Sequence, residues 1–168
     1  MAKTTIEFSL DAKSINTALK KLEKYRDWLK KSAEEICYRL AYLGAAKATV
    51  IYSKAAYTGV NDIKVVVSRD PDGYVITASG ESLLFIEFGS GIKYGSGHPL
   101  AQEMGYGPGT YPGKGHWNDP SGWYLPKEKG GLHTFGNPPS PGMYEAGKTI
   151  REEVERISRE VLSGGNRL

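Results

Sequence analysis

Three histidines, His98, His116 and His133, are the side chains of this chain best suited to metal binding or acid–base work, and Asp119 lies near His116. Metal ligands usually come in pairs at a helical or tight-turn spacing. These histidines are spaced widely and irregularly, and there is no second cysteine to join them. No Gly-x-Ser-x-Gly and no phosphate loop with its lysine is present; Gly95-Ser96-Gly97 alone carries little. A small metal-dependent hydrolase or nuclease built on the loop histidines is one reading. It has no assembled constellation behind it.

A carboxylate raises a different question. Leu83-Leu84-Phe85-Ile86-Glu87-Phe88-Gly89-Ser90-Gly91 is an apolar run interrupted by one acid. Gly80 and Gly89 bound it, so it reads as a strand buried on both faces. Alternation sets Leu83, Phe85 and Glu87 against Leu84, Ile86 and Phe88. A carboxylate among buried aromatics needs a partner or an exit to water. Either Glu87 sits near the strand's end and reaches solvent or a lysine, or it caps backbone N–H groups of the glycine turn that follows.

The elements that position these groups follow from periodicity. Residues 4–10 alternate, with Ile6, Phe8 and Leu10 on one side, as a half-buried strand. Ser14 suits a helix N-cap. From Ile15 the period changes: Ile15, Leu19, Leu22, Tyr25 and Leu29 form one stripe. Lys20, Lys21 and Lys24 lie off it with Glu23 and Asp27 among them, a mixed solvated face more than a DNA-facing one. Ser32-Ala33-Glu34-Glu35 has capping-box form, which predicts a stop or kink and a second helix. That helix carries Ile36, Leu40, Leu43 and Ile51, and its small residues Ala41, Gly44, Ala45 and Ala46 would let another element pack close. Cys37 reads as a small buried apolar residue in a reducing compartment.

After a connection over 53–61, residues 62–69 are rich in strand formers. Asp70-Pro71-Asp72-Gly73 is a turn and residues 74–79 return as a second strand. With the Leu83 strand this predicts an antiparallel meander. Residues 91–142 then form a long Gly-, Pro- and aromatic-rich loop holding Tyr94, Tyr106, Tyr111, Trp117, Trp123, Tyr124 and Phe135. Such aromatics suit an interface or a lid folded over the core, and the two are compatible. Pro138-Pro139-Ser140-Pro141 closes the loop. A last helix from Met143 to about Leu162 carries Met143, Ala146, Ile150, Val154, Ile157 and Val161, and Gly164-Gly165 ends it.

The expectation is a single α+β domain over residues 1–168, an antiparallel meander packed on N-terminal helices and a C-terminal helix. At 168 residues the chain is long enough for a real core. A net charge of +3 is too weak to argue for nucleic acid by itself. The first residues lack the apolar core of a signal peptide, and no stretch approaches a membrane span, so synthesis in the cytoplasm is expected.

The order of elements and two short motifs resemble the siphophage tail-component proteins, also called head–tail joining or tail-completion proteins. Members pair an aromatic/aliphatic–Glu–Phe–Gly–Thr motif with a later Ala-x-Pro-Phe-Met-x-Pro-Ala entry into a C-terminal helix. Ile86-Glu87-Phe88-Gly89-Ser90 is similar to the first, with Ser for Thr. Pro141, Met143 and Ala146 match the second, while Pro139, Gly142 and Glu145 stand where the family favours Ala, Phe and Pro. Thr58-Gly59 resembles a family Thr-Gly ahead of the first hairpin strand, with Asn61 for the usual Leu. The resemblance implies a structural bacteriophage protein of the virion neck or tail top, present in the host cytoplasm during assembly. It implies a ring-type homo-oligomer that contacts neck, connector or tail-tube proteins, with no catalysis, cofactor, small-molecule substrate or specific nucleic-acid binding. The interface residues expected are Glu87, Phe88, Gly89, Tyr94, Tyr106, Tyr111, Trp117, Trp123, Tyr124, Phe135, Pro141 and Met143.

Overall fold

The computed structural model describes residues 9–57, 59–91, 93–94, 97–106, 119–124, 127–129 and 131–164. The strand expected over residues 4–10 lies almost entirely outside the described residues, as do Tyr111, His116 and Trp117.

One helix, α1, runs unbroken from Ala12–Ser53. At 1.5 Å per residue its 42 residues span about 63 Å. The restart expected at Ser32 does not occur. Ser32 is buried inside the helix, and the Leu, Lys, Ala and Glu residues around it are strong helix formers with no Gly or Pro to break them. The N-cap is Asp11 rather than Ser14: the Asp11 carboxylate accepts the Ser14 N–H at 2.9 Å. Cys37 is exposed, not buried.

Strands β1 (Lys64–Asp70) and β2 (Gly73–Ser79) form an antiparallel hairpin, with Val65 opposite Ala78 and Val67 opposite Ile76. These four half-buried residues line one face, and Val66 and Thr77 are exposed on the other. The hairpin packs on the C-terminal half of α1. There Gly44 takes both neighbours at once: a Cβ on it would meet Ile150 Cδ1 at 2.7 Å and Ile76 Cδ1 at 3.0 Å. Of the small residues expected to allow close packing, Ala41, Gly44 and Ala45 are buried, whereas Ala46 is exposed.

Leu83–Phe88 is not a third strand but a short helix, α2. An apolar run of this length does not distinguish a buried strand from a buried helix. Gly80 (φ +157) and Gly89 (φ +76) bracket it. Asp62 ties it to the hairpin, accepting the Ser82 hydroxyl at 2.5 Å, the Ser82 N–H at 3.0 Å and the Glu81 N–H at 2.7 Å. Those bonds, the Ser82 hydroxyl first, lower the Asp62 carboxyl to about 2. Two minimal strands, β3 (Trp123–Tyr124) and β4 (His133–Thr134), make a second antiparallel pair.

The last helix, α3, spans Gly142–Gly164. Gly142 faces Tyr52 and Ile150 faces Gly44, so α3 runs antiparallel to α1. Ala48 and Tyr52 of α1, Ile86 of α2 and Ala146 of α3 form the buried centre, with Ile63, Val65, Ala78 and Met143 against it. The fold class is α+β, helices plus two small antiparallel sheets.

Candidate functional site

Glu87 is the organising residue of that centre. It is 6% exposed, on the last turn of α2. In helical spacing it lies one turn beyond Leu83 and beside Ile86, facing inward with them. It neither reaches solvent nor caps the glycine turn. The Tyr52 hydroxyl donates to its Oε2 at 2.6 Å. The Met143 N–H donates to Oε2 and the Tyr144 N–H to Oε1, both at 3.2 Å. His98 Nε2 lies 3.4 Å from Oε1. The Leu100 N–H donates to His98 Nδ1 at 3.0 Å, which leaves Nε2 to carry the proton toward Glu87.

Glu87 therefore caps α3 from another element. The first N–H groups of any helix lack intrahelical acceptors, and its N-terminus carries partial positive charge. A buried carboxylate aimed there meets both needs. Burial, then the bond and charge of Glu87, push the Tyr52 hydroxyl well above the ordinary tyrosine value.

Capping runs the other way as well. The C-terminal carbonyls of α2 are met by the chain just before α3. Asn137 Nδ2 donates to the Phe85 carbonyl at 2.8 Å and the Ser140 N–H to the Ile86 carbonyl at 2.7 Å. Ser90 and Asn137 exchange backbone bonds at 3.0 and 3.3 Å, and the Ser90 hydroxyl lies 2.6 Å from Asn137 Oδ1. At Gly136 (φ +98) a Cβ would fall 1.9 Å from the Ser90 carbonyl oxygen, so the two segments pass at a distance only glycine permits.

The expected interface residues separate into two groups. Glu87 and Phe88 are buried within the subunit, and Gly89, Tyr94, Tyr106, Trp123, Pro141 and Met143 are half-buried. Tyr106 stacks on Phe88 at 4.2 Å between ring centroids and His98 lies 4.3 Å from the same ring, so this part of the long loop folds back as a cover. Tyr124 and Phe135 are 73% and 52% exposed, on either side of His133. His98 and His133 have separate aromatic surroundings. Among the described residues no three His, Cys, Asp or Glu side chains are grouped to hold a metal ion, and no helix is long and apolar enough to cross a membrane. Tyr52 and Asn137 belong to the joint without any signal in the sequence that singles them out, and Ser90 stands out only as the last residue of the first motif. Tyr52 only closes a helix, and Asn137 only precedes a proline cluster.

No protein-family model, curated protein or solved structure matches the chain.

Proposed function

We propose that this chain is a structural bacteriophage protein of the virion neck or tail top, which joins head and tail or completes the tail as a ring-type homo-oligomer. One observation carries the reading. The two motifs that resemble the tail-component family are about fifty residues apart, yet the glutamate of the first caps the helix opened by the second. A pair of motifs that meet at one structural joint accounts for their occurring together without any catalytic role. A joint of this kind makes a stiff subunit, and stiffness suits a part that must hold its shape under load. The partners would be further copies of the chain and the neighbouring neck, connector or tail-tube proteins. Among the described residues, Tyr124 and Phe135 are the aromatics of the long loop most open to such contact.

Deleting the reading frame from the phage or prophage genome that encodes it tests the proposal. Electron microscopy of the lysate should show DNA-filled heads and tails that are unjoined, or tails with aberrant ends. Supplying the gene in trans should restore joined particles. Joined, infectious particles at the normal yield without the gene would overturn the reading.

A further inference from the structure

Residues 15, 19, 22, 26, 29, 33, 36, 40 and 43 of α1 step by four and three along the whole helix, the spacing of a coiled-coil seam. All are apolar except Arg26. The C-terminal end of this seam is in use: Leu40 is buried and Ile36 and Leu43 half-buried in the face that takes α3. The N-terminal end is largely open, with Ala18 the one buried residue over 12–31. Gly142 lies against Tyr52 and Ile150 against Gly44, so equal steps bring Gly164, the last residue of α3, level with about Lys30. By this register α3 does not reach the part of α1 before that point in the sequence. Residues 19–31 are all exposed except half-buried Trp28, and Ile15, Leu19, Leu22 and Leu29 are 38, 52, 50 and 41% exposed.

Charge narrows what covers it. Residues 12–31 hold seven lysines and arginines against Glu23 and Asp27, a net +5 in a chain whose total is +3. Two copies of this segment laid side by side would repel. Arg26 interrupts the seam itself, and it pairs with the adjacent, similarly exposed Asp27. A facing carboxylate would suit it better. An arginine also interrupts the apolar face, unlike the face of a helix that lies in a lipid surface.

We infer that the projecting half of α1 is a docking surface for an amphipathic helix of another protein, acidic, with an aliphatic seam and a carboxylate set opposite Arg26, lying where α3 would lie if it were longer. The occupant extends an interface the subunit already makes. The inference does not depend on the virion reading.

The test uses the full chain and three labelled synthetic peptides of equal length. The first has Leu and Ile at the seam positions and Glu elsewhere on the helix. The second has Lys in place of Glu, and the third has the first peptide's composition with the seam spacing scrambled. Fluorescence anisotropy should show binding of the first peptide alone, weakening with salt. Leu22→Asp should weaken it at least tenfold, and Arg26→Glu should move preference toward the second peptide. Both residues are exposed, so circular dichroism and thermal melting should be unchanged. Equal binding of the scrambled peptide, or indifference to Leu22→Asp, would overturn the inference. So would sedimentation showing self-association that Leu22→Asp abolishes, or binding to phosphatidylserine vesicles that Leu22→Asp abolishes.

Discussion

At Glu87 a single carboxylate accepts from a phenol and two helix N–H groups, and removing it strands all three donors. Each buried group left without a partner costs about 1–3 kcal/mol. Glu87→Ala should therefore destabilise the protein by at least ~3 kcal/mol in urea unfolding, and Glu87→Gln, which keeps one acceptor oxygen, by about 1–2 kcal/mol. A loss below ~1 kcal/mol for the alanine variant would mean that the joint contributes little. Tyr52 gives the same site a pH signature. Its hydroxyl is raised in the folded state by burial and by Glu87. A raised group contributes fully below its unfolded value, here about 10, and loses its contribution as pH rises beyond that, because only the unfolded chain releases the proton. Stability should fall between about pH 10 and 11 more steeply in the native protein than in Tyr52→Phe. Parallel slopes for the two proteins would refute the coupling.

Among the elements, the crossing of the 85–91 segment with the 135–140 segment is the tightest. Gly136→Ala would force a Cβ onto the Ser90 carbonyl in a backbone conformation that side chains rarely adopt. It should cost at least ~2 kcal/mol, read as a lowered melting temperature, and weaken the hydrogen-exchange protection of Ser90 and Asn137. Gly147 is the contrasting case. It sits inside α3, where a Cβ would meet only the end of the Arg151 side chain at 3.6 Å. Gly147→Ala should stabilise by about 0.5–1 kcal/mol, since glycine loses more backbone freedom in a helix than alanine. A destabilised variant would show a constraint on α3 that its packing does not reveal.

Over the whole molecule, the described residues leave apolar side chains exposed on the projecting half of α1 and on the β3–β4 pair with Tyr124, Leu132 and Phe135, among other places. The first suits a foreign helix. On the ring proposal, the second is a described part of the long loop that contact between copies would use, since Tyr106 is already stacked on Phe88. If copies meet there, replacing Tyr124 and Phe135 together by alanine should reduce self-association at least tenfold in sedimentation equilibrium and leave the melting temperature within about 2 °C, as befits exposed side chains. Equal loss of melting temperature and association would assign the pair to the cover of the core instead.

Periodicity alone determined most of the elements. The stripes of α1 and α3, the Asp70-Pro71-Asp72-Gly73 turn with its flanking strands and the small residues at the α1 crossing were all legible, because each depends on neighbours within a few positions. Three things were not. Apart from Glu87 the 83–88 run is apolar throughout, so it held no period to choose helix over strand; α2 forms where 137–140 meets its carbonyls. The Ser32-Ala33-Glu34-Glu35 box was a valid local signal that uninterrupted helix formers and burial of Ser32 overrode. Glu87 was visible as an acid in need of a partner. Its partners come from residues 52, 98, 143 and 144, and only the folding of three helices onto one point decides that they meet.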